Sequence, residues 1–209
     1  MIEIRNVTKE INNKVVLENI NIKLKEGELV LLCGHNGCGK TMLLRLICGF
    51  INPTYGDRIE EREFKYGVII ENPTFFSQET AFQNLKYLAT INKKIDNNEI
   101  ETWLKRFNLL DYKDKKVKTF SLGMKQRLAL CQAFMENPDV LLLDEPFNAI
   151  DEENLKIVCE LIKKAKSERK LIVIASHSNI NDLKFDKIIK MSNGTIKEIQ
   201  ENQKNLKKS

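Results

Sequence analysis

The chain has 209 residues, 42% hydrophobic and 30% charged, with a formal net charge of +5, which suits one large domain, with or without a subdomain, and excludes two full domains. No apolar run approaches the roughly 18 residues of a membrane span, and the charged opening MIEIRNVTKE lacks the apolar core of a secretory signal, so a cytoplasmic protein is expected. The positive charge is modest and scattered, so nucleic acid is not demanded, and the cytoplasmic face of an anionic membrane is equally compatible.

In chain order, Met1 to Val7 and Val15 to Leu24 alternate apolar and polar residues and predict two half-exposed antiparallel strands joined by a turn at Asn12 to Lys14. Leu29 to Cys33 is a continuous apolar run, as a parallel strand covered on both faces requires. It leads into Gly34-His35-Asn36-Gly37-Cys38-Gly39-Lys40-Thr41, which fits G-x-x-x-x-G-K-[ST], and apolar residues resume at helical spacing from Met42. Strand, loop and helix together specify a phosphate-binding loop. Its glycines let backbone N–H groups and a positive helix end converge on a polyphosphate, with Lys40 reaching the β- and γ-phosphates and Thr41 the Mg²⁺.

Gly49 to Gly56 reads as a turn, and Tyr66 to Ile70 as a short strand stopped at Glu71-Asn-Pro73. Helical periodicity then runs from Thr80 to Tyr112, with Phe82, Leu85, Leu88 and Ile91 on one stripe and Ile100, Leu104, Phe107 and Leu110 on the next. Asp96-Asn-Asn98 separates the two helices and offers an N-cap, and Trp103 is expected in the core. This segment, residues 74–135 with the following helix, is the expected inserted helical subdomain. That helix opens at Ser121, with Leu128, Cys131, Gln132 and Met135 on one face; Ser121 and Gly123 leave N–H groups at its positive end for a second anion.

Val140 to Leu143 is an apolar strand that delivers Asp144 and Glu145 to the carboxyl edge of a parallel sheet. Asp144 is expected to orient Mg²⁺ through water and Glu145 to polarise an attacking water; a cap for a helix from Asn148 to Ile162 is the structural alternative. Leu171 to Ala175 is a further strand with His177 just beyond it, and Lys187 to Ser192 with Thr195 to Ile199 form a hairpin around Asn193-Gly194. A basic tail over residues 200–209 is expected to be disordered. Cys33, Cys38, Cys48, Cys131 and Cys159 are odd in number and scattered, which favours reduced thiols over disulfides or zinc. Cys38 sits at a helix start that could lower its pKa, although packing is the simpler role.

The ordered set of motifs resembles the ATP-binding subunits of ATP-binding-cassette (ABC) transporters over about residues 1 to 199. The resemblance rests on the phosphate loop, the signature FSLGMKQR at Phe120 to Arg127, the Walker B strand VLLLDEP at Val140 to Pro146, the D-loop NAID at Asn148 to Asp151, and the switch His177. It implies an α/β fold of the P-loop NTPase ABC cassette type: a mainly parallel sheet, an N-terminal antiparallel β-subdomain and an inserted α-helical subdomain. It further implies a homodimer, or a pairing with a second cassette, around ATP and Mg²⁺, in which Ser121 and Gly123 meet the partner's nucleotide. Glu145 becomes the general base and His177 the sensor of the γ-phosphate. An integral membrane permease is the implied partner, with the cassette peripheral on the cytoplasmic face of the cell membrane and no nucleic acid expected.

Three positions depart from the common pattern. Glu71 replaces a Gln and is expected as a catalytic and metal-binding carboxylate; the signature keeps only Ser121 and Gly123; and Ile11 stands where an aromatic usually stacks on adenine, which weakens base contact. The Glu71 and SLGMKQR combination is similar to cassettes of bacterial bacitracin and lantibiotic exporters, which implies peptide or antimicrobial export. A non-transport ABC ATPase acting on ribosomes or DNA is the alternative, and a phosphate-loop kinase or GTPase a more distant one.

Overall fold

Three short strands account for the centre of the molecule, because they are apolar on both faces: Leu29–Cys33 (β3), Val140–Asp144 (β6) and Leu171–Ala175 (β7) are buried at every position but Cys33. In the computed structural model, which describes residues 1–71, 73–92, 95–177 and 182–202, they lie side by side in a six-stranded sheet. The order is β5-β6-β7-β3-β8-β9, with Tyr66–Ile69 (β5), Lys187–Ser192 (β8) and Thr195–Glu201 (β9) completing it. All neighbours are parallel except β9, which returns antiparallel on β8. Successive side chains alternate faces, so Leu29, Leu31, Leu141, Leu143, Ile172 and Ile174 feed one core, and Val30, Leu32, Val140, Leu142, Val173 and Ala175 feed another.

The second core is closed by the helix Lys40–Ile47 (α1) and a three-stranded antiparallel sheet of Ile2–Ile11 (β1), Lys14–Leu24 (β2) and Tyr55–Glu60 (β4), in the order β2-β1-β4. The first core is closed by helices Ala81–Asn92 (α2), Asn97–Arg106 (α3), Leu122–Met135 (α4) and Glu152–Ser167 (α5). The first three of these helices lie between β5 and β6. Asp96 caps α3 through a full capping box with Glu99, an arrangement that stabilises a helix start by about 1 kcal/mol. Trp103 packs partly buried against Phe107 and Phe134.

Several boundaries differ from expectation. The turn read over Gly49 to Gly56 ends in β4, which is charged and largely exposed and so carries little apolar signal. Gly56 is needed there: its φ is 80° and a methyl group would sit 2.3 Å from the Asn6 carbonyl oxygen. Strand β1 runs on to Ile11, because β2 continues to pair with it as far as Ile11 opposite Lys14. The helix after the D-loop starts at Glu152 and reaches Ser167; Asp151 caps it, accepting the Asn154 N–H at 2.9 Å, so Asp144 and Glu145 are not its cap.

Ile91 leaves the expected stripe and is 74% exposed, while Ala81, Leu85 and Ala89 take the buried positions of α2. Helix α4 is buried on more than the one face expected, with Leu128, Ala129, Leu130, Cys131, Ala133, Phe134 and Met135 all covered, because it runs between β5 and the other two inserted helices. The expected disorder from residue 200 is also corrected. Strand β9 continues to Glu201, and Asn202 donates its N–H to the Asp186 carbonyl and its side-chain amide to the Phe185 carbonyl, both at 2.8 Å. The rest of that segment, residues 203–209, lies outside the described residues.

Candidate active site

The phosphate loop leaves the end of β3 and is shaped by three glycines at positive φ, where a side chain is strained whatever the space around it. Gly34, Gly37 and Gly39 have φ of 151°, 79° and 107°, a region L-residues rarely adopt. A methyl group at Gly34 would sit 2.3 Å from the Met191 carbonyl oxygen and 2.6 Å from the Cys38 sulfur. Cys38 is therefore fully buried under the loop, as packing. No side chain caps α1 at Gly39, so its first N–H groups are left for an anion. The Lys40 ammonium folds back to donate to the carbonyls of Gly34 at 2.8 Å and His35 at 3.4 Å, holding a cation over the loop. His35, Asn36 and Gly37 form its exposed rim, with His35 Nδ1 2.9 Å from the Asn36 carbonyl.

At the end of β6, Asp144 accepts the Thr41 hydroxyl at 2.6 Å. Burial pushes its carboxyl above the usual carboxylate range, opposed by that hydroxyl and reinforced by the nearby Glu145; the Glu71 N–H also bonds to it. Glu145 follows at φ 46°. Its N–H donates to the Ala175 carbonyl at 2.8 Å, tying it to the end of β7. Its carboxylate accepts the His177 N–H at 3.1 Å, lies 2.8 Å from His177 Nδ1, and takes the Ser176 hydroxyl at 3.4 Å. The β6 and β7 ends thus bring Asp144, Glu145 and His177 beside Thr41, as the carboxyl edge of a parallel sheet should.

Thr41, Asp144 and Glu145 open onto a cavity of about 520 Å³ lined also by Lys40, Glu71 and Gln126, among others; His177 stands behind Glu145, outside the lining. Hydroxyl and carboxylate oxygens side by side suit a hard divalent cation that keeps most of its water and phosphate ligands. That requirement matters, because no three His, Cys, Asp or Glu side chains among the described residues could hold a metal by themselves. The Glu71 carboxylate, expected to face metal, pairs instead with Arg45 at 2.7 Å, and its backbone takes φ 62°.

Other expected residues lie away from the cavity. Ile11 ends β1 beside the Asn12-Asn13 turn, 38% exposed and not in the lining. Ser121 is the N-cap of α4, its oxygen accepting the Met124 N–H at 3.2 Å. A methyl group at Gly123 would sit 2.4 Å from the Ala149 carbonyl oxygen, so this glycine has a reason to be glycine within its own chain. Two residues passed over in the sequence belong to the site: Arg45, one turn after Thr41 on α1 and paired with Glu71, and Gln126, a buried amide in the lining. Gln126 lies in the polar run Lys125-Gln126-Arg127, which carries no signal of burial. Strand β4 contributes too, since Arg58 donates to the Ile47 carbonyl at 2.7 and 2.9 Å and so holds the far end of α1.

Residues 17–148 match the family model described as ABC transporter. The chain is 43% identical over 186 residues to the uncharacterized ABC transporter ATP-binding protein YybJ of Bacillus subtilis (strain 168), covering 85% of each. It is 34% identical to the lantibiotic transport ATP-binding protein SrtF of Streptococcus pyogenes, over 85% of this chain and 80% of that one. It is also 34% identical to the spermidine/putrescine import ATP-binding protein PotA of Spiroplasma citri, over 95% of this chain and 61% of that one. Among solved structures, the dimeric bacterial ABC transporter cassette MJ0796 superposes with a TM-score of 0.84 at 26% identity, over 96% of this chain and 98% of that one.

Proposed function

Because this chain belongs to the family of ABC transporter ATP-binding cassettes and is an ATP hydrolase, we propose that it works as an Mg²⁺-dependent dimer driving export of a peptide or antimicrobial through a separate membrane permease. The observation that carries the reading is the convergence of Lys40, Thr41, Asp144 and Glu145 on one cavity, with His177 held against Glu145. In this reading the loop and Lys40 bind the β- and γ-phosphates, Thr41 and Asp144 hold Mg²⁺, which neutralises developing phosphate charge, and Glu145 takes a proton from the attacking water. His177 holds the Glu145 carboxylate in place and senses the γ-phosphate. Ser121 and Gly123 meet the partner's nucleotide at the positive end of α4, and Ile11 gives the base little to stack on.

Export is supported by likeness to SrtF over most of both chains, and by the Glu71 and SLGMKQR combination. The likeness to PotA spans a smaller share of that relative and makes import the second reading. Pairing with a membrane subunit is supported by a groove beside β5 and α2, where Phe50, Phe76, Tyr87 and Ile91 are exposed; among the described residues no helix is long and apolar enough to cross a membrane. Apolar surface of this kind marks a contact site. Cells carrying the cassette with its permease are expected to resist an added cationic peptide antibiotic, and Ser121→Arg, which puts a bulky side chain at the α4 start, is expected to abolish both resistance and ATP-dependent dimerisation on size-exclusion chromatography. Unchanged dimerisation and turnover by Ser121→Arg would defeat the dimer; peptide accumulation in place of resistance would favour import.

Glu71 has a proposed role as a metal-facing oxygen, for which it must leave Arg45, since its 2.7 Å ion pair and a cation compete for the same carboxylate. A hard cation favours a carboxylate over an amide oxygen, and without metal the same charge repels the nucleotide. ATP binding is therefore expected to depend more steeply on Mg²⁺ in the native cassette than in Glu71→Gln. Superimposable Mg²⁺ titrations of binding and turnover in the isolated cassettes would discard the metal role and leave Glu71 coupling motion to the permease.

A further inference from the structure

The first turns of α4 press on the loop that carries the catalytic carboxylate, and the contact is made by two residues. Gln126 is buried, 6% exposed, and its amide N–H groups reach the carbonyl of Pro146 at 3.2 Å and that of Glu145 at 3.5 Å. One turn earlier, Gly123 sits so close to the Ala149 carbonyl that even a methyl group would collide. The segment held between them is conformationally unusual, with Glu145 at φ 46° and Ala149 at φ 58°, neither of them glycine. Such backbone states are uncommon for side-chain-bearing residues and persist only where neighbours impose them.

We propose that Gln126 is a positioning residue that aims the Glu145 carboxylate, and that it links the signature end of α4 to catalysis in the same chain. Glu145 is fixed on one side by its N–H bond to the Ala175 carbonyl. Pro146 has no N–H to anchor the following peptide. The Gln126 amide supplies the missing restraint by gripping two successive carbonyls, which sets the peptide plane after Glu145 and hence the direction of its side chain toward His177. An anion bound at the Ser121 end of α4 acts on the same rigid helix, so occupancy of the partner's site reaches this chain's own base through about one helical turn.

This inference rests on Glu145 being the general base, and the test separates the two. Gln126→Glu keeps the shape but sets carboxylate oxygens against two carbonyls; Gln126→Met keeps the length without any polar group and serves if the first variant does not fold. Single-turnover ATP hydrolysis at saturating Mg-ATP is expected to fall ~10²-fold in either, the cost of a reacting group misplaced by about an ångström; Gln126→Glu, which adds a charge to the cavity lining, weakens Mg-ATP binding as well, whereas the neutral Gln126→Met loses hydrolysis at saturation all the same. In a Glu145→Gln background neither substitution is expected to lower hydrolysis further, because two residues acting through one group are not additive. A multiplicative loss in that background, or native hydrolysis by Gln126→Met, would overturn the proposal. Native hydrolysis by Glu145→Gln alone would instead remove the general-base assignment beneath it.

Discussion

Glu145→Gln is expected to lower steady-state phosphate release by ~10²–10⁴-fold, the usual worth of a positioned general base, while leaving Mg-ATP binding intact. The amide keeps the size of the carboxylate and can still accept the His177 N–H, now 3.1 Å from Glu145 Oε1, so the cavity should retain its shape. What disappears is the capacity to take a proton from water. The nucleotide contacts assigned to Lys40, Thr41 and Asp144 do not pass through this side chain, which is why binding should survive. Phosphate release and equilibrium binding measured on one preparation decide the matter, and turnover at the native rate would sink the assignment.

Lys40→Ala is expected to have the opposite signature, losing affinity for ATP. Its ammonium lies 2.8 Å from the Gly34 carbonyl, and the residue as a whole is 7% exposed. A hydrogen bond to a charged group is worth about 1.5–3 kcal/mol, so losing the phosphate contact should weaken binding by one to two orders of magnitude. Titration with a fluorescent ATP analogue gives the affinity, and thermal unfolding of the variant without nucleotide confirms that the fold is retained. Native affinity in a folded Lys40→Ala protein would exclude Lys40 from the phosphate contact.

Residues whose chemistry is set by near neighbours in the chain were legible before any coordinates. The β3-loop-α1 unit, the strand ending in Asp144 and Glu145, and the capping of α3 by Asp96 each occupy a short window in which periodicity, glycine spacing and cap chemistry agree. Contacts between distant segments were not legible. Nothing in a charged run such as Asp57 to Glu60 announces an edge strand that pairs with β1, and no spacing rule puts Arg45 opposite Glu71. Ile91 continues the helical period of α2 yet faces solvent, because periodicity locates a stripe without saying where the neighbouring layer ends. Gly123 reads in the sequence as an opening for an anion at the helix start, whereas the D-loop backbone of its own chain already excludes a side chain there.

The placing of β3 bears on how the protein is made. This strand, coded early, finds its two sheet neighbours only in β7 and β8, more than 130 residues downstream by their ranges. The loop that follows is pinned even later: Gly194 donates its N–H to the Cys38 carbonyl and accepts the Glu18 N–H, each at 2.9 Å. During synthesis the antiparallel pair β1 and β2 can zip as it emerges, since its contacts are local, whereas long-range parallel pairing must wait for both partners. The nascent chain therefore carries its phosphate-binding segment as an unclosed apolar strand until β7 and β8 have been made, and the loop is pinned only when the β8–β9 hairpin docks.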